Sequence, residues 1–254
     1  MKTLGAPCEV GECPVWEADG WLWVDNARGM VCTPHGETAV GAVCAIPKSD
    51  GGLLVVTAHD IAGHAAPSGT RFNDGECDAH GRLWIGTMGS PGQGVLFCFD
   101  GQTLRAVADG FDVGNGLGWS PDYRFMYFTD TGQRLIYRYD FDLEFGTLRD
   151  RRVFHHFPDV GKPDGLAVDA EGCVWSALWD GACVVRLSPD GEIIGRLDMP
   201  VPRPTSVAFG NGEMLITSAR KGLTPAQLID APLSGHSFLA PSPVDGMPVQ
   251  PFKG

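Results

Sequence analysis

A short apolar run introduced by a turn recurs six times along the 254-residue chain. The copies are Gly20–Val24 (GWLWV), Gly52–Thr57 (GLLVVT), Gly81–Thr87 (GRLWIGT), Tyr123–Asp130 (YRFMYFTD), Gly172–Ala177 (GCVWSA) and Gly212–Ser218 (GEMLITS). Their starts fall 32, 29, 42, 49 and 40 residues apart, close to the ~40–45-residue period of a four-stranded propeller blade. Several copies lead into a second strand-like segment: Gly94–Asp100, Leu135–Asp140 and Ala182–Leu187, the last followed by the turn Pro189-Asp190-Gly191. Strand, turn, strand and Asp-Gly turn is the grammar of antiparallel hairpins. Six such units predict an all-β, six-bladed β-propeller with four-stranded antiparallel blades around a central channel. Such a ring leaves no long exposed sheet edge. A β-sandwich also spaces its strands evenly, but does not require the units to match in content.

Composition supports many tight turns between short elements. Gly (35) and Pro (19) together make up roughly a fifth of the chain, while 43% hydrophobic residues exclude a disordered or collagen-like polymer. One helical turn is expected, over Thr224–Ile229, where Thr224 can cap and Pro225 can open it. No linker or charge run divides residues 1–254, so a single domain is expected. The net charge of −12 repels phosphate backbones and anionic lipid, which argues against nucleic acid or membrane partners. No run approaches the ~20 apolar residues of a membrane span, and MKTLGAPCEVGE lacks the apolar centre of a secretory signal. The eight cysteines form no C-x-x-C pair. Cys98 and Cys183 sit inside apolar runs, as small buried hydrophobes do in a reducing compartment. The expectation is a cytoplasmic protein.

A second periodicity is polar. Glu12, Asn73, Asn115 and Asp164 each stand eight residues ahead of a repeat start, and in the second unit that phase falls on Cys44. The segments after them (PVW, LGW, LAV) read as the first strands of their units. First strands line a propeller channel, so these four residues should converge at one mouth. Asn-Gly and Asp-Gly are also common turn signals, and each site alone would be scored as a turn. The shared phase argues otherwise, because a turn does not demand oxygen-bearing side chains in step. Two carboxylates and two amide oxygens suit a hard divalent cation. Cys13 follows Glu12 and, by strand alternation, should face away from that cage.

Together these stretches resemble the gluconolactonase/regucalcin-like family of six-bladed propellers. The matching segments are Gly11–Trp16 (GECPVW), Thr70–Gly75 (TRFNDG) with Gly81–Met88 (GRLWIGTM), Asn115–Asp122 (NGLGWSPD), Thr129–Thr131, Pro163–Asp169 (PDGLAVD), and Arg203–Phe209 (RPTSVAF) with Thr217–Arg220 (TSAR). The resemblance spans nearly the whole chain. It implies a divalent metal held by Glu12, Asn115 and Asp164, with Asp164 as proton acceptor and donor. Arg71 and Asn73 would be substrate-binding residues beside the metal. Two departures stand out: only Gly89–Gln93 separates the GTM strand from the next, and His59–Ser68 is short.

The implied reaction is hydrolysis of a sugar lactone to the aldonic acid, with the cation polarising the carbonyl or activating water and Asp164 as general base and acid. The oxygen ligands favour Ca²⁺, with Zn²⁺, Mn²⁺, Mg²⁺ or Fe²⁺ as alternatives. Two further readings are a metal-dependent hydrolase of other esters or phosphotriesters, and a calcium-binding propeller without turnover. No G-x-S-x-G elbow, H-E-x-x-H or phosphate-binding glycine loop offers a competing chemistry.

Overall fold

The computed structural model describes residues 1–18 and 20–254. β1 (Lys2–Leu4) precedes β2 (Gly11–Glu17), β3 (Gly20–Asp25), β4 (Met30–Thr33) and β5 (Gly36–Ala39); β2 to β5 make the first antiparallel sheet in chain order. β6 (Ala42–Pro47) and β7 (Leu53–Thr57) pair only with each other, and the hairpin β8 (Asp60–Ile61) and β9 (His64–Ala65) stands apart. Three complete sheets follow. The first joins β10 (Arg71–Cys77), β11 (Leu83–Met88), β12 (Gly94–Phe99) and β13 (Leu104–Phe111). The next joins β14 (Gly114–Trp119), β15 (Phe125–Asp130), β16 (Leu135–Asp142) and β17 (Thr147–His156). The third joins β18 (Lys162–Val168), β19 (Val174–Trp179), β20 (Cys183–Leu187) and β21 (Ile193–Asp198). In the last sheet, β22 (Pro204–Gly210), β23 (Glu213–Ser218) and β24 (Ser237–Pro241) take β1 as their outer strand. The two chain ends are thus stitched together in one sheet.

The chain is an all-β propeller with five four-stranded blades, which corrects the expected six. The second unit supplies the two-stranded sheet β6–β7 and the short hairpin β8–β9 in place of a four-stranded blade. The cause is chain length: residues 58–70 are all that separates β7 from β10, too few for two further full strands with their turns. β6 still takes its place in the ring. The inner strands β2, β6, β10, β14, β18 and β22 neighbour one another in that order, and β22 returns to β2.

Each repeat found in the sequence is the second strand of its sheet: β3, β7, β11, β15, β19 and β23. In the four-stranded blades these strands are buried almost throughout, as in β11 and β19, so they read as continuous apolar runs. The outer strand β17 is mostly exposed and carries polar residues. Ring packing between blades uses large aromatics, including Trp84 against Trp119 and Phe141.

Buried aspartates fix the turns. Asp78 accepts from the backbone of His80 and Arg82 and from Trp84 Nε1 at 2.8 Å. Asp169 repeats the arrangement with Glu171, Cys173 and Trp175 Nε1. The helix α1 (Pro225–Asp230) forms as expected, with Thr224 and Gln227 making a reciprocal capping box. At the C-terminus, Gly246 bridges to Asp169 and Phe252 to Lys48, and Phe252 stacks on Phe99 with centroids 5.6 Å apart.

A candidate metal centre at the channel mouth

All six inner strands carry a register shift against their second strands. The shifts lie at Glu12/Val15, Ala42/Cys44, Phe72/Gly75, Gly114/Leu117, Pro163/Leu166 and Pro204/Ser206. A bulge places two residues opposite one and re-aims the side chains beside it. The shared phase of the polar residues is therefore the phase of the bulge. Asn115-Gly116 and Asp164-Gly165 lie inside β14 and β18 and are not turns. Their glycines serve the close approach of neighbouring inner strands. A Cβ on Gly116 would sit 2.1 Å from Leu166 N, and one on Gly165 would sit 2.1 Å from Ser206 Oγ.

The in-phase residues are buried in the channel: Glu12 is 7% exposed, Asn73 8%, Asn115 4% and Asp164 3%. Asn115 Nδ2 donates to Asp164 Oδ1 across the strand boundary and to Thr131 Oγ1 at 3.0 Å. Asn73 Nδ2 donates to Gly114 O at 3.1 Å and so ties β10 to the start of β14. Arg71 donates through Nη1 to Phe72 O at 3.1 Å and to Asn26 Oδ1 at 3.5 Å. The scaffold is braced behind them. Asp130 accepts from the backbone of Asp112 and Val113 just ahead of Asn115, and Thr205 Oγ1 donates to Gly11 O beside Glu12.

Electrostatics mark the cluster as incomplete. Burial pushes the Glu12 carboxyl well above the usual carboxylate range, and the charges of Asp164 and Asp74 push it further, against a smaller opposing pull from Arg71. Asp164 is raised by burial and by Asp74, with its Asn115 hydrogen bond opposing. Arg71 is lowered by desolvation, with Glu12 opposing. Two buried oxygens, Glu12 Oε2 and Asn115 Oδ1, have no hydrogen-bond partner. Buried polar atoms are almost always satisfied. Orphaned oxygens beside mutually repelling carboxylates fit a hard divalent cation, which would supply both the missing partner and the missing charge.

Three residues at the same depth escaped sequence reasoning in this role. Asp74 is buried next to Asn73, where its oxygen accepts from Gly75 N at 2.8 Å. Thr131 orients the Asn115 amide. Cys13 does not face away as strand alternation predicts. Its φ of 45° and the bulge turn the thiol inward, where Sγ donates to Asp74 Oδ1 at 2.9 Å. Only the bulge, which sequence periodicity does not report, reverses that direction.

The architecture defines a β-propeller with a polar, cation-ready channel mouth. Residues 10–220 match the family described as SMP-30/Gluconolactonase/LRE-like region, and the chain belongs to it. It is 34% identical to the 6-deoxy-6-sulfogluconolactonase of Pseudomonas putida, covering 98% of this chain and 96% of that one. It is 36% identical to the pentonolactonase XacC of Haloferax volcanii over 84% of this chain and 81% of that protein. Among solved structures, the calcium-binding protein regucalcin of Agrobacterium tumefaciens superposes with a TM-score of 0.89 at 25% identity, covering 98% and 95% of the two chains. Among the described residues no helix is long and apolar enough to cross a membrane, and all eight cysteines are free and buried.

Proposed function

We propose that the protein is a divalent-metal-dependent lactonase that hydrolyses a sugar lactone to its aldonic acid. The observation that carries this reading is the buried set Glu12, Asn115 and Asp164, with two orphaned oxygens, in a member of a family whose relatives include two named lactonases. Glu12, Asn115 and Asp164 would hold the ion, and Ca²⁺ fits their all-oxygen chemistry best. When bound, the ion supplies Lewis-acid stabilisation of the charge that develops on the lactone carbonyl oxygen.

The remaining chemistry belongs to the side chains. Asp164 takes a proton from the attacking water and returns it to the ring oxygen as the carbon–oxygen bond breaks. Its hydrogen bond from Asn115 fixes the carboxylate orientation and favours the ionised form. Asn115 is in turn held by Thr131. Arg71 and Asn73 bind the sugar, Arg71 as a half-buried cation near Glu12 and Asn73 from the next position along β10 but one. We take residues 1–254 as one domain and the protein as cytoplasmic, a reading that the eight free thiols support.

The test is a proton-release assay on a panel of aldonolactones, an aryl ester and a phosphotriester, each with chelator-treated and metal-restored protein. Metal-dependent turnover of at least one aldonolactone, above the other two classes, is expected. Turnover of the phosphotriester alone would replace the substrate class, and no turnover of any would leave a binding propeller.

A further inference from the structure

We propose that the channel holds a second cation site of different chemistry, formed by Cys13, Cys44 and Asp74 and selective for a thiophilic divalent ion such as Zn²⁺ or Cd²⁺. The three residues come from the adjacent inner strands β2, β6 and β10. One ligand atom from each, two thiol sulfurs and a carboxylate oxygen, lies within 4.8 Å of the others. The residues are 9%, 0% and 8% exposed, so this is not a solvated surface cluster.

The arrangement is built by the bulges. β2 shifts register at Glu12/Val15, β6 at Ala42/Cys44 and β10 at Phe72/Gly75, and each shift turns a donor toward the same point. Cys13 Sγ donates to Asp74 Oδ1 at 2.9 Å and is also 3.7 Å from Val43 O, while Cys44 Sγ donates to Gly75 O at 3.4 Å. Two thiolates and one carboxylate make a soft-to-borderline donor set, with three protein ligands and a fourth position open. Binding would displace the two thiol protons to water. The lactone centre uses Glu12, Asn115 and Asp164 and needs no sulfur. The two sites therefore differ in hardness, and this proposal stands whether or not the lactonase reading does.

There is also a way in. A cavity is lined by Cys13 and Asp74 together with Glu76, Trp119, Tyr123 and Gln250. Most of its lining lies further along the inner strands than the lactone residues, so it reaches the cluster from the opposite end of the channel. Glu76 lines that approach.

The experiment titrates Cd²⁺ into chelator-treated, full-length protein and follows the ultraviolet charge-transfer absorption of cadmium thiolates. One equivalent should develop the band. The C13A/C44A variant should lose it, while E12Q and C8A/C32A should keep it. C8A/C32A is a necessary control because Cys8 and Cys32 are two further buried thiols within one core cluster. In the unmutated protein, at a urea concentration that lets both thiols react in chelator, Cd²⁺ should also protect Cys13 and Cys44 from alkylation, mapped by mass spectrometry, whatever the variants' folding. A full band in C13A/C44A, loss in E12Q, or no protection of Cys13 and Cys44 would overturn the assignment.

Discussion

Replacing Asp164 by Asn separates two roles of one side chain. The substitution keeps size and an oxygen donor, so the ion should still bind, more weakly. Proton transfer is what disappears, because an amide cannot accept the proton from water. Loss of a positioned general base costs ~10²–10⁴-fold, about 3–5 kcal/mol of transition-state stabilisation. Folding should move the other way. Asp164 is 3% exposed, and both burial and the nearby Asp74 penalise its charge. Removing that charge from the metal-free protein relieves the penalty, so metal-free D164N should melt no lower than the metal-free parent at neutral pH. The assays are kcat on the best aldonolactone, bound metal by mass spectrometry, and thermal melting in chelator. Near-normal kcat would remove Asp164 from proton transfer and pass the role to another group, such as Asp74. A collapse of both metal content and melting temperature would instead make Asp164 a structural ligand only.

Asn115→Ala removes an orphaned buried oxygen and should weaken the ion, with excess metal partly restoring turnover; no change in metal affinity would contradict its place in the shell. Asn73→Ala should mainly raise KM on the aldonolactone, as expected for a contact shared by ground and transition states. Gly116→Ala puts a methyl group 2.1 Å from Leu166 N and should cost at least the ~1–3 kcal/mol typical of overpacking, whereas Gly36→Ala, with open space around it, should shift the denaturant midpoint little. The metal-free protein should also lose stability as pH rises from about 4 to 7. Glu12 and Asp164 have raised values in the folded state, so across that window the folded chain binds protons that the unfolded chain, at ordinary values near 4, has released. Melting in chelator at about pH 5 and about pH 7.5 should show the gap, and it should narrow in D164N and under saturating ion.

The sequence carried most of the fold because the second strand of each four-stranded blade is buried on both faces. Runs such as GRLWIGT and YRFMYFTD are loud signals at blade spacing. It misjudged the second unit because one copy of the run implies a blade without showing that outer strands follow. Only the short segment after Thr57 hinted that β8 and β9 are a two-residue hairpin instead. The candidate centre was legible through phase: Glu12, Asn115 and Asp164 stand at the bulges of their inner strands. The same bulges hid Cys13 and Asp74, since alternation holds only where the register is unbroken. Thr131 falls within the Thr129–Thr131 motif, but its hydrogen bond to Asn115 is a contact between strand ends and leaves no periodic trace.

The central claim is that one cation held by Glu12, Asn115 and Asp164 makes this propeller a lactonase. Its most direct test is a titration of chelator-treated protein with Ca²⁺, recording bound ion and aldonolactone turnover on the same samples, alongside E12Q. The account predicts that turnover rises in step with the first equivalent bound and then levels off, and that E12Q needs far more ion to reach its plateau. Full turnover in chelator, or an E12Q titration that overlays the parent's, would contradict it.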